Sequence, residues 1–164
     1  MKKPITVTIM VESPKGSSQK FDYDEKENRF RLNKVLPAGL AFPFDFGMIP
    51  GTKGEDGDPL DIIVLDEYAT FPGCLIDCRI IGALQAEQTE RDGRTRRNDR
   101  FIGVPDVSQL FSEVKTLEDL PEAILNQLEH FFKNYNEQAG KRFKVTGRLG
   151  AQPAIKLIGH GTIK

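Results

Sequence analysis

Asp56-Gly57-Asp58-Pro59-Leu60-Asp61 runs directly into Ile62-Ile63-Val64-Leu65, and this junction constrains the fold more than any other segment. Gly57 and Pro59 punctuate a turn, while the largely β-branched run behind them favours an extended strand over a helix. Three carboxylates within six residues are thereby placed at the mouth of a strand. So close a set repels itself unless cations lie between its members. Oxygen ligands on a turn suit Mg2+, which takes one or two carboxylates and keeps its other positions for water and phosphate. The pattern points to metal-assisted phosphate chemistry. The same letters are also ordinary turn chemistry, and a solvated turn stands as the alternative. A helix-loop-helix calcium site fits worse. Asp56, Asp58 and Glu67 take its first, third and twelfth positions, but Leu60 stands fifth and Asp61 sixth, where glycine is needed.

Around this junction the chain reads as a series of short strands. Ile5, Val7, Ile9 and Val11 alternate with Thr6, Thr8, Met10 and Glu12, the period of a half-buried strand. Further strand-like runs cover 20–24, 30–35, 60–65, 74–85 and 101–104, and the segments 143–146 and 155–158 are expected to close the sheet. The Gly/Pro/aromatic segment 36–52 has neither helical nor strand period and predicts an ordered loop with an aromatic wall. One long helix is expected, with Thr116 and Asp119 on its approach, Pro121 in the first turn and Gly140 at its stop. Its apolar face holds Ile124, Leu125, Leu128, Phe131, Phe132 and Tyr135, and two adjacent phenylalanines predict that one of them faces a subunit contact. Many short strands with one substantial helix predict a mainly β protein with α elements, a β-barrel near the OB-like architecture.

Length and composition fit a single domain over residues 1–164, with 38% hydrophobic and 29% charged residues. A net charge of −1 supplies no bulk attraction for nucleic acid or an anionic membrane. An OB-like barrel with aromatics and five arginines between Arg91 and Arg100 leaves a nucleic-acid-binding module as a rival reading. The start, Met1 to Ile5, lacks a signal-type apolar core, and no run approaches membrane-spanning length, so cytoplasm is the expected location. Cys74 and Cys78, four apart in a strand, are too distant for easy bridging and read as buried thiols. His130 reads as a packing or interface residue, and His160, between two glycines, as part of a mobile tail.

The hexad 56–61 resembles the signature of the soluble, Mg-dependent family I inorganic pyrophosphatases, and other segments resemble that family in the same order along the chain. They are Val11-Glu12-Ser13-Pro14-Lys15-Gly16-Ser17, Lys20-Phe21-Asp22, Phe42 to Ile49, Phe71-Pro72-Gly73, Phe101 to Pro105 and His130 to Tyr135. The resemblance implies a five-stranded barrel flanked by helices. It implies hydrolysis of inorganic pyrophosphate to two orthophosphates by metal-activated water, several Mg2+ ions with Mn2+ as a possible substitute, and a homo-oligomer, hexameric in many prokaryotes. Position by position, it makes Asp56 and Asp61 metal ligands and Asp58 the acceptor of the water's proton. Lys20 becomes a phosphate-binding lysine, Asp22 a further metal-facing acid, Glu12 an outer-shell acid and Tyr135 the phenol that contacts the departing phosphate.

Several positions depart from the family's pattern. Lys34 stands where an arginine is expected, a point charge in place of a bidentate fork. Phe42 and Phe46 replace tyrosines and lose two hydroxyls, and Asn136 replaces a lysine. Before Phe101 the expected acids and lysine align with Asp92, Asn98 and Arg100. Asn98 offers only a neutral carbonyl oxygen to a metal, whereas Asp99 faces the other side of an extended strand unless a bulge turns it inward. Arg100 takes the lysine's place as a substrate contact. Two readings follow: a divergent, self-consistent pyrophosphatase, or a relative with weak or altered phosphoanhydride specificity.

Overall fold

The computed structural model describes residues 5–163, so Met1 to Pro4, where the absence of a leader was expected, lie outside the described residues. Nine strands are present among the described residues: β1 Thr6–Ser13, β2 Gln19–Asp24, β3 Arg29–Val35, β4 Asp45–Ile49, β5 Leu60–Val64, β6 Leu75–Thr89, β7 Thr95–Arg97, β8 Arg100–Pro105 and β9 Arg142–Gly150. Two α-helices, α1 Glu122–Gln138 and α2 Ala151–Gly161, accompany them. β1 pairs β4, β4 pairs β5, β5 pairs β8 in parallel, β8 pairs β6, and β6 returns to β1. These five strands close on themselves, the five-stranded, OB-like barrel that was expected. The second half of β6 extends past the barrel to pair β7 and β9, while β2 and β3 form a separate hairpin.

Alternation sorts the side chains into two cores. Ile9, Val11, Ile49, Ile62, Val64, Cys78, Ile80, Ala83 and Phe101 come from all five barrel strands and fill the interior, with Ala154 and Ile158 of α2 packed against them. The opposite parity carries Phe46, Ile63, Ile81, Leu84, Ile102 and Val104, which pack with Leu125, Leu128, Phe131 and Phe132 of α1 and Phe143 of β9. Burial of residues this large stabilises by roughly 1.5–3 kcal/mol per side chain. The site is built on that second, outer face.

Five expectations need correction. The segment 36–52 contains a strand, β4, all five residues of which are buried. Covered on both faces, it shows no alternation for the sequence to reveal. Residues 155–158 belong to α2 rather than a strand. Ala154 and Ile158 are spaced by one helical turn, and Pro153 sits in the first turn, where its missing N–H is harmless. His160 consequently lies in the last turn of that helix rather than in a mobile tail. Phe131 and Phe132 are both buried, with rings 5.1 Å apart and edge-on, because the aromatic layer beneath α1 is wide enough for both. Both cysteines are free; Cys78 is buried as expected, and burial raises its thiol far above the ordinary value, whereas Cys74 is only half-buried and lies just ahead of β6.

Candidate active site

A cleft of about 1140 Å³ opens beside the outer barrel face, between the β2–β3 hairpin, the 54–61 turn, the β6–β7 hairpin and α1. The turn is fixed from several sides. Gly57 adopts φ 88°, a left-handed conformation glycine reaches without strain, and its N–H donates to the Gly54 carbonyl at 3.1 Å. The Asp58 N–H donates to Asp56 Oδ1 at 3.0 Å, an Asx turn, and Gly54 N–H donates to the Asp58 carbonyl at 2.8 Å. Thr52 Oγ1 accepts from Leu60 N–H at 3.0 Å, and Lys53 N–H donates to Gly161 at the end of α2 at 2.8 Å. The acids therefore stand on a braced edge.

Asp61 is the second residue of β5 and lies opposite Arg100 across the parallel β5–β8 pair. Their side chains share the outer face, and the guanidinium Nη1 donates to Asp61 Oδ2. Burial raises the Asp61 carboxyl, Arg100 and Lys20 oppose that, and Asp56 and Asp58 push it further up. Asp58 is raised by partial burial and by Asp56 and Asp22. Glu12 on β1 accepts the Tyr23 N–H at 2.9 Å and is raised to about 7, first by burial and then by Asp22 and Asp61. In all three, burial is the largest cause and neighbouring carboxylates add to it.

Cations face the acids. Lys20 of β2 is opposite Lys34 of β3, and Lys20 Nζ lies 3.4 Å from Asp22. Burial alone would lower the Lys20 ammonium, but Tyr135, Asp22 and Asp61 hold it above its ordinary value. Lys34 is lowered by burial and by Lys20 and Lys141. Tyr135 of α1 lines the cleft with Phe42 and Phe46, its hydroxyl buried without a hydrogen-bond partner among the described residues, and burial raises it.

Glu12, Lys20, Asp22, Lys34, Asp56, Asp58, Asp61, Asp92, Asn98, Arg100 and Tyr135 all line this one cleft. Asp99 does not. Its Oδ1 accepts from the Ala86 N–H at 3.1 Å and its Oδ2 from Arg97 Nε at 2.8 Å, as the period of two demands of the neighbour of a cleft residue. Asp92 sits on the exposed β6–β7 tip, where Oδ1 accepts the Arg94 N–H at 2.9 Å. Two participants escaped sequence reasoning, Gln88 and Glu90. Gln88 Nε2 donates to Glu90 at 2.8 Å, and Glu90 pairs with Lys141 at 3.0 Å. Their signal was faint: a polar residue following Leu84 and Ala86 on the buried parity of β6.

The aromatic wall does not form a stacking platform. Phe42 and Phe46 are 2% and 6% exposed and pack on α1, with Phe42 5.2 Å from Phe131 and Phe46 5.3 Å from Phe132. The aromatics that suggested nucleic-acid binding are thus spent on the core; of the five arginines, Arg100 is buried, Arg94 and Arg96 line the cleft, and Arg91 and Arg97 stay exposed on the hairpin.

Among the described residues no group of three His, Cys, Asp or Glu side chains stands close enough to hold a metal alone. The donor set still fits a hard divalent cation, which binds through one or two carboxylates and completes its shell with water and phosphate oxygens. The raised Asp58, Asp61 and Glu12 are the groups such a cation would relieve.

The profile of the inorganic pyrophosphatases matches residues 9–163. The chain belongs to the inorganic pyrophosphatase family. It is 38% identical to the inorganic pyrophosphatase of Sulfolobus acidocaldarius over 96% of its own length and 94% of the relative's. Identity to that of Geobacillus stearothermophilus is 39%, covering 93% of this chain and 89% of the relative. The crystal structure of the inorganic pyrophosphatase from Thermus thermophilus superimposes with a TM-score of 0.87 at 34% identity, covering 98% of this chain and 91% of that one. Pyrophosphatases of this family are metal-dependent hydrolases. No described helix of this member is long and apolar enough to cross a membrane.

Proposed function

We propose that this cleft hydrolyses inorganic pyrophosphate to two orthophosphates, with Mg2+ as the working cation and Mn2+ able to replace it. The observation that carries the reading is the meeting of acids and cations in one place: Asp22, Asp56, Asp58 and Asp61 against Lys20, Lys34 and Arg100. Bound among these acids, a divalent cation screens the polyanion and lowers the pKa of an incoming water.

The protein's part is position and charge, which carry most of phosphoryl transfer. Asp56 and Asp22, together with Asp61 beside Arg100, would hold the divalent cations, with Glu12 behind them. Asp58, the one exposed member of the turn's three aspartates, accepts the proton of the attacking water as the water's oxygen forms a bond to one phosphorus and the bridging P–O bond breaks. Its raised affinity for a proton suits that role. Lys20 and Lys34 bind phosphate oxygens, and the unpartnered Tyr135 hydroxyl donates to the departing phosphate. Asp92, at the rim, is placed to act only on a cation near the entrance.

We further read residues 1–164 as one domain acting in the cytoplasm as a homo-oligomer, a hexamer by family resemblance; light scattering of the purified chain tests the assembly. The specificity test is phosphate release from pyrophosphate against ATP at equal Mg2+. The reading expects release from pyrophosphate to exceed that from ATP at least tenfold, and equal rates would favour a general phosphoanhydride hydrolase.

A further inference from the structure

Asn98 and Arg100 depart together from the pattern that the family resemblance implies, and the structure joins them. Arg100 Nη1 donates to Asn98 Oδ1 at 2.7 Å and also to Asp61. The Asn98 amide, in turn, donates to Gln88 Oε1 at 3.0 Å. With Gln88 donating to Glu90 and Glu90 paired with Lys141, a continuous polar chain runs from Asp61 to α1's far end. Both ends of the Asn98 side chain are committed, one accepting and the other donating, whereas an ionised carboxylate at this position could only accept.

The guanidinium is held as firmly from its faces. Arg100 is 4% exposed, and its Cζ lies 5.7, 5.1 and 5.3 Å from the ring centres of Phe46, Phe132 and Phe143. A planar, weakly hydrated cation suits such a wall; an ammonium does not. The result is a fixed positive charge against Asp61, beside a neutral oxygen.

We infer that Arg100 is a resident cation that takes the place of one divalent ion at Asp61. This rests on the pyrophosphatase reading and deepens it: the chain works with one divalent cation fewer than a member carrying an acid at position 98. A divalent ion approaching Asp61 meets a permanent positive charge and gains only an amide oxygen already bonded to it. Arg100 is a positioning residue here, acting through Asp61.

The test counts cations. Metal-free native chain, Arg100→Met and the double variant Asn98→Asp with Arg100→Lys are titrated with Mn2+ by calorimetry. Arg100→Met keeps an unbranched side chain among the three rings and frees Asp61; the double variant restores an acid and a smaller cation. Each is expected to bind one more equivalent of Mn2+ than the native chain. Should Arg100→Met fail to fold by circular dichroism, the double variant decides alone. An unchanged count and affinity in a folded variant overturns the inference. Phosphate release is followed on the same samples: a native chain that releases none, with the count still rising by one, overturns the reaction and supports the cation exchange.

Discussion

Lys20 and Lys34 stand opposite one another across β2–β3, and both ammonium groups lie over the Tyr135 ring, at 6.0 and 5.6 Å from its centre. Two like charges in register weaken a strand pair unless something of opposite sign accompanies them. Asp22 pairs with Lys20 and acts on Lys34 only from further off; among the described residues Lys34 has no ion pair, and burial with Lys20 and Lys141 lowers it. The pair is arranged for an anion.

Phosphate or pyrophosphate should therefore raise the melting temperature of the metal-free chain. At a ligand concentration 100 times the dissociation constant the gain is about 2.7 kcal/mol, some degrees in midpoint. Lys20→Gln should remove most of that shift in a thermal-shift titration, and Lys34→Gln part of it. An undiminished shift in both variants would place the anion elsewhere.

Tyr135→Phe separates function from stability. Among the described residues the buried hydroxyl has no hydrogen-bond partner, so its loss removes no hydrogen bond seen there. The melting temperature should stay level or rise, while phosphate release falls roughly tenfold, the worth of one hydrogen bond to an anionic oxygen. A fall in melting temperature with activity intact would assign the phenol to packing alone.

Away from the cleft, Asp66 gives the chain a pH-dependent stability. Burial, followed by the neighbouring Asp45, raises it from the ordinary 3.8 to about 8. Between those values the unfolded chain has shed the proton that the folded chain keeps, so stability falls as pH rises across the window and levels off above it. Asp66→Asn, which retains an acceptor for the Asp45 N–H, should flatten the melting profile between pH 5 and 8.5 relative to the native chain, those pH values spanning most of the roughly four-unit window. Parallel profiles for the two proteins would show that Asp66 titrates normally.

The barrel was legible because most of its strands alternate, as β1 does with Ile9 and Val11 inward. β4 was hidden by burial on both faces, and α2 by a short apolar run whose length fits strand or helix equally. At the site, the order of Glu12, Lys20, Asp22, the turn acids and Tyr135 along the chain was enough to name the cleft's members. Choosing between Asn98 and Asp99 was not possible, because a bulge would reverse the parity of the strand and no residue type announces one. Gln88 and Glu90 touch one another, but what joins them to the site is contacts with residues 10 or more positions distant, Asn98 and Lys141. Such contacts leave no local pattern.

Phosphate release from pyrophosphate, measured with Mg2+, with Mg2+ plus chelator, and with Asp58→Asn, tests the central claim most directly. The account predicts release that chelator abolishes and that Asp58→Asn slows by roughly 10²–10⁴-fold, the usual contribution of a positioned proton acceptor. No release with either Mg2+ or Mn2+, or equal rates for the native chain and Asp58→Asn, would contradict it.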